Sequence, residues 1–285
     1  MLSTRPDGNR VPILEAVRRC AAAGYRVMDL DLNSGKRSPA FELGRPDWEA
    51  WLDDLVALSR ECGVEFTQSH APDFNVADPQ LEGRSAAEEL VRRAIVVSGR
   101  LGVRWMAMHA GTAWDANRFL ALSKSRNIDW FGPIAEFAAG HGVGIAIENM
   151  QERLAEGRMK PRRRYTAGIE EQCDLIDSLA MDNVGAVWDF GHANITGYDQ
   201  VQCLEFLGAR LKALHVHDNN GLYDDHTLPF LGSIDWPPIM VALRRLGYTG
   251  DFSFETAYFT RRMPDALIDA ALAWSLQVGQ YLLSL

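Results

Sequence analysis

The chain has 285 residues, 47% of them hydrophobic and 24% charged, the profile of a soluble globular protein with a large core. Its 29 basic and 38 acidic side chains leave a formal net charge of −9, which opposes non-specific binding to nucleic acid. No apolar run approaches the ~20 residues of a membrane span, Met1–Arg10 lacks the apolar stretch of a signal peptide, and Cys20, Cys62, Cys173 and Cys203 form no CxxC pair, as in a reduced, cytoplasmic protein.

Strands and helices are expected to alternate along the whole chain. Helical spacing runs from Pro12 to Gly24, and Val27 to Leu32 reads as a strand. A helix over Arg45 to Cys62 carries Trp48, Trp51, Leu52, Leu55 and Leu58 on one stripe and stops at Gly63. Val64 to Ser69 is a strand ending in His70, and Ser85 to Leu101 a helix stopped by Gly102. Val103 to Met108 is a strand ending in His109, followed by a helical region to Gly140. Gly144 to Ile147 is a strand ending in Glu148, Gly168 to Leu179 a helix, and Val184 to Trp188 a strand ending in Asp189. Gln200 to Leu207 is a helix, and Leu211 to Val216 the next strand. Trp236 to Leu246 is a helix closed by Gly247, Phe252 to Phe254 a strand ending in Glu255, and Pro264 to Leu283 the last helix.

Short, glycine-stopped connections between alternating elements argue for parallel strands with helical crossovers. The fold expected is a single (β/α)₈ TIM barrel over residues 1–285, with Met1–Thr4 as a short or clipped first strand. No Gly-rich phosphate turn follows an early strand, which disfavours an open, doubly wound sheet.

Six consecutive strands end in a side chain able to bind a metal: His70, His109, Glu148, Asp189, His215 and Glu255. In this fold catalysis sits at that C-terminal face, where strand ends and loops converge. Beyond the last of the histidine-bearing strands, His215, His217, Asp218, Asp224 and His226 gather five ligand-type side chains in one strand end and loop. A single histidine there is an ordinary polar rim residue; five such residues are better explained by a divalent ion. Glu148, Asp189, His215 and Glu255 are the sharpest set. Three carboxylates and one imidazole suit one ion of the Mn²⁺, Mg²⁺ or Co²⁺ class, with Zn²⁺ a further candidate. The basic run Arg158, Lys160, Arg162, Arg163 and Arg164 reads as a solvated face. Trp114, Tyr223 and Tyr258 lie in loops of the same face, as sugar-stacking residues or loop anchors.

At Ile147-Glu-Asn149, Asp189-Phe-Gly-His192, His215-Val-His-Asp218, Asp224-Asp-His226 and Phe254-Glu-Thr256, the chain resembles the xylose isomerase-like TIM barrels. Within them it looks like the sugar phosphate isomerase/epimerase group that includes tagatose 3-epimerase-like enzymes. The resemblance implies one divalent ion on Glu148, Asp189, His215 and Glu255, proton exchange by Glu148 and Glu255, and contact of His192 with substrate oxygens. An arginine that such epimerases carry after the His-x-His pair is missing from Asn219–Tyr223. The expectation is an isomerase or epimerase of a small sugar, sugar phosphate or related polyol, acting through an enediolate. His70, His109, His192, His217, Asp224 and His226 are expected to face the substrate or support the ligands. Nucleic acid and membrane are not expected partners, and nothing in the sequence opposes a homo-oligomer. A dehydratase or lyase would begin with the same enolisation. The same superfamily holds trinuclear-zinc apurinic-site endonucleases, whose nine ligands match His70, His109, Glu148, Asp189, His192, His215, Asp224, His226 and Glu255.

Overall fold

A computed structural model describes residues 11–33, 41–115, 117–153 and 162–285. In chain order the elements are α1 (Ile13–Ala22), β1 (Val27–Asp31), α2 (Trp48–Cys62), β2 (Glu65–His70), α3 (Arg84–Leu101) and β3 (Trp105–His109). Next come α4 (Phe119–Gly140), β4 (Gly144–Glu148), β5 (Glu152–Arg153), β6 (Arg162–Arg163), α5 (Ile169–Leu179) and β7 (Val184–Asp189). The series ends with α6 (Phe190–Thr196), α7 (Gln200–Leu207), β8 (Leu211–His215), α8 (Trp236–Arg245) and α9 (Asp265–Ser284). The stripe read on α2 is real: Trp51, Leu52, Leu55 and Leu58 are buried. The helix stops where Gly63 takes φ 62°, a left-handed conformation that a β-carbon disfavours.

The strands β1-β2-β3-β4-β7-β8 form one parallel sheet in sequential order. Residues 253–255 continue it beside β8. The Val216 N–H donates to the Ser253 carbonyl (2.8 Å) and the Glu255 N–H to the Val216 carbonyl (3.0 Å). The strand expected over Phe252–Phe254 is therefore a single parallel bridge, Val216 with Phe254, and not a ladder. Met1–Thr4, the expected first strand, lies outside the described residues. The sheet curls on itself. The Ser253 hydroxyl of the last segment lies 3.2 Å from the Asp29 carboxylate of β1, and the Gln68 amide of β2 donates to the Leu214 carbonyl of β8 (3.1 Å). This is the TIM-barrel arrangement that the alternation predicts.

Period-two alternation sorts the strand residues into two environments. Met106, Ile145, Ile147, Trp188 and Leu214 face the helices and join the main core, which runs from Ile13 to Leu282. The intervening residues fill the barrel in layers. At the bottom the Trp105 indole covers the floor, and Gly144 leaves it room, since a β-carbon there would overlap the ring. Above it Ala107, Ala146, Val187 and Ala213 form a separate apolar cluster. The next inward position on each strand is a rim residue named above: His109, Glu148, Asp189 and His215.

Two elements were not legible in the sequence. The Asp189 carboxylate caps α6 by accepting the His192 N–H (2.7 Å), so the motif Asp189-Phe-Gly-His192 is a strand end and a helix start at once. A short antiparallel hairpin, β5–β6, takes up part of the basic run. Arg163 pairs there with Glu152 at 3.0 Å and with Glu171, which ties it into the hairpin and not to open solvent. Arg158 and Lys160 lie outside the described residues. All four cysteines are free, and no described helix is long and apolar enough to cross a membrane.

Candidate metal centre

Glu148, at the end of β4, is the hub of the rim and is buried. Its Oε2 lies 3.2 Å from His109 Nε2, 3.5 Å from His70 Nε2 and 3.3 Å from His215 Nδ1. Its Oε1 lies 3.2 Å from His192 Nδ1. Glu255 Oε2 is 3.4 Å from the same His215 Nδ1, and donor atoms of Glu148, Asp189, His215 and Glu255 fall within 4.8 Å of one another. Three further triads meet the same criterion: first His70, His109 and Glu148, second His217, Asp224 and His226, and third His70, His215 and Glu255. His192 reaches towards the second, with Nε2 at 3.3 Å from Asp224 Oδ2.

Several of these atoms are buried without any hydrogen-bond partner, among them Glu148 Oε2, both ring nitrogens of His215, and Asp224 Oδ1. Leaving polar atoms unmet in this way is costly unless something else binds them. The spacing says what. Two ligands at about 2.1 Å from one ion, at tetrahedral or octahedral angles, lie about 3.0–3.4 Å apart, the separation seen here between donor atoms. The residues present therefore fit a divalent cation of the kind their oxygen and imidazole donors favour.

Each donor is held by the element that carries it. Asn149 clamps Asp189 from the neighbouring strand: its amide donates to the Asp189 carbonyl (2.9 Å) and its oxygen accepts the Asp189 N–H (2.6 Å). Gln172 of α5 donates to the Ile147 and Val187 carbonyls, at 2.8 and 3.1 Å, joining the two strands just below Glu148 and Asp189. His217 is fully buried, and its Nε2 lies 3.0 Å from Asp189 Oδ1. Gly191 makes that approach possible, because a β-carbon on it would overlap the imidazole. His226 stacks on His217 with ring centroids 4.0 Å apart, in a left-handed backbone conformation (φ 42°), and its Nδ1 lies 2.9 Å from the Glu255 carbonyl. Asp218 does not join the donors. Its carboxylate accepts the N–H groups of Asn219, Phe230 and Ile234 and the Trp236 indole N–H, folding the loop beneath the site.

Without a metal the cluster sets carboxylates directly against imidazole rings. Burial alone would raise the Glu148 pKa, but His109 and His215 hold it well below the usual value; burial would raise Asp189, and His192 and His217 hold it down. Burial opposes charge on His70, yet the Glu148 carboxylate brings its pKa to about 9. His226 is likewise opposed by burial and raised to about 10 by the Glu255 and Asp224 carboxylates. His109 goes the other way, lowered chiefly by burial, with Arg164 adding to the effect against the pull of Glu148. Cations binding here would replace protons.

One polar group beneath the rim was missed by the sequence reading. Asp29 of β1, Gln68 of β2 and Ser253 lie two residues before the rim positions of their strands, and the Asp29 carboxylate accepts from both of the others. The signal was present as carboxylates at every second position of Val27-Met-Asp-Leu-Asp-Leu32.

Comparison with known proteins agrees with this architecture. A ketose 3-epimerase of Arthrobacter globiformis is 27% identical over 216 residues, covering 74% of this chain and 67% of that protein. A probable endonuclease 4 of Acholeplasma laidlawii is 24% identical over 171 residues, 59% of this chain and 55% of that protein. The crystal structure of a D-tagatose 3-epimerase-like protein superposes with a TM-score of 0.69 at 23% identity, over 90% of this chain and 91% of the other. The family model described as xylose isomerase-like TIM barrel matches residues 17–278, nearly the whole length, and the chain belongs to that family.

Proposed function

We propose that the protein is a divalent-metal-dependent isomerase or epimerase of a small sugar or a related polyol. The observation that carries this reading is the pairing of Glu148 and Glu255. Both carboxylates lie within 3.4 Å of the same imidazole nitrogen, and Asp189 completes a four-donor set. Four donors leave room for substrate oxygens. A divalent ion bound there supplies positive charge beside a carbonyl, which lowers the cost of removing the neighbouring C–H proton.

The side chains do the rest. Glu255 is only half-buried while Glu148 is closed off, so Glu255 is the group with access to a proton on a bound substrate. Glu148 is the second carboxylate assigned to proton exchange. His192, His226 and Asp224 are placed to hold substrate hydroxyls, and His217 acts through Asp189. Trp114, Tyr223 and Tyr258 are 63%, 50% and 49% exposed; Arg261 lies over the Tyr258 ring, which leaves the Trp114 and Tyr223 faces. Such faces suit the C–H side of a sugar ring. The ketose 3-epimerase and tagatose 3-epimerase-like relatives support the substrate class.

A second reading has its own observation. The triads His70, His109, Glu148 and His217, Asp224, His226, together with Asp189, His215, Glu255 and His192, include the nine donors that a three-ion phosphodiesterase would use, with His217 in addition. One experiment separates them: metal content per chain after loading with Zn²⁺ or Mn²⁺, for wild type, His109→Ala and His226→Ala. It is run beside a ketose panel in D₂O and an abasic-site DNA assay. One ion that survives both substitutions, with deuterium entering a carbon next to the ketose carbonyl, is the expected result. Three ions, fewer in the variants, and cleavage of the DNA would replace the first reading by the second.

A further inference from the structure

Asp29 is a largely buried carboxylate, 16% exposed, one layer below the donor sets described above. Its Oδ2 accepts the Gln68 amide N–H at 2.5 Å and lies 3.2 Å from the Ser253 hydroxyl, while its Oδ1 has no hydrogen-bond partner. A carboxylate in the layer that holds the apolar cluster Ala107, Ala146, Val187 and Ala213, with only Gln68 and Ser253 as polar company, needs a reason. The reason stands at the next level. His215 turns Nδ1 towards Glu148 and Glu255, and its other nitrogen, Nε2, towards Asp29 Oδ2 at 3.8 Å. Neither ring nitrogen has a hydrogen-bond partner.

An imidazole that gives one nitrogen to a cation carries its proton on the other, and that N–H is ordinarily oriented by a carboxylate or carbonyl. Here the ring leaves Nδ1 for the ion and Nε2–H for Asp29. The distance of 3.8 Å exceeds a hydrogen bond, so the present contact is an electrostatic one. Gln68 keeps the carboxylate in place by spanning two strands: its amide donates to Asp29 and to the Leu214 carbonyl, the residue next to His215.

We propose that Asp29 is a positioning residue of the metal centre, fixing the His215 ring and its tautomer so that Nδ1 is the metal-binding nitrogen. This rests on the reading of Glu148, Asp189, His215 and Glu255 as a cation site.

The test uses the full chain with Zn²⁺ as probe. Zn²⁺ affinity is measured by chelator competition for wild type and Asp29→Asn, and the ring nitrogens are observed by NMR with ¹⁵N-histidine labelling, His215 being assigned through His215→Gln. Expected in Zn²⁺-loaded wild type is a His215 ring metallated at Nδ1, with a slowly exchanging Nε2–H. Asp29→Asn should weaken Zn²⁺ binding about 10- to 100-fold and move the Nε2–H resonance upfield. Affinity within twofold of wild type overturns the proposal, as does a loss of affinity that leaves the resonance in place, which would be a charge effect alone. A wild-type ring metallated at Nε2 also overturns it, and this needs no variant to fold. A wild type that takes up no Zn²⁺ removes the cation-site reading and the proposal together.

Discussion

Glu148 is where the sequence reading of the rim needs amending. Carboxylates gathered at one rim repel one another when nothing balances them, and deleting one would then spare the fold. In the structure each carboxylate is balanced by histidines, and Glu148 faces His70, His109, His192 and His215 at once. Glu148→Gln should therefore abolish metal uptake and also destabilise the metal-free protein near pH 6, by up to about 3–5 kcal/mol if the rings keep their protons. Glu255→Gln, at a half-exposed position, should lose metal binding with little change in melting temperature. Asp189→Asn should lose metal as well with little change at the N-terminus of α6, because an asparagine oxygen can still accept the His192 N–H. Metal content and thermal melts of the three variants in chelator check this; equal melting temperatures for Glu148→Gln and wild type at pH 6 would contradict the charge-balanced view.

At the level of elements, the site depends on close approaches as much as on donors. Placing α6 directly after β7 brings His192 back over Glu148, and Gly191 lets the His217 ring slide under the helix to reach Asp189. Gly191→Ala puts a methyl group where that ring lies. Overpacking of this kind costs about 1–3 kcal/mol, and it should cut Zn²⁺ affinity by displacing His217 from Asp189. Chelator competition reads the loss; unchanged affinity would mean that His217 is dispensable to the donors. The helices and strands themselves were largely legible, because apolar periodicity and glycine stops are local. The hairpin β5–β6, α6 and the shrinkage of Phe252–Phe254 to one bridge were not, since each depends on what lies across the barrel.

For the whole molecule, the perturbed rings and carboxylates set a pH window. His70 and His226 have native pKa values of about 9 and about 10 against an ordinary 6.5, so their contribution to stability is complete below 6.5 and is lost as pH rises through those values. Glu148 and Asp189 sit below their ordinary 4.5 and 3.8, so theirs is present above those values and lost as pH falls. In chelator the melting temperature should be highest between about pH 5 and 7 and fall by several degrees towards pH 10. Loading with Zn²⁺ should flatten the alkaline limb, because liganded rings are neutral. A melting temperature that climbs from pH 7 to 10 in chelator would rule out protonated rings at the rim.

What the sequence determined by itself was the alternation of strands and helices, the barrel that follows from it, and the series of donors from His70 to Glu255 at the strand ends. All of these are carried by local periodicity: every second residue of a strand points one way, and every strand ends at the same face. Tertiary structure alone decided which donors share an atom's surroundings. It separated Asp218, spent on its own loop, from Asp224, aimed at His192 and His226. It also made Glu148 the common neighbour of four histidines and set Asp29 below His215. Those relations join residues far apart in the chain, and no spacing records a distance across a barrel.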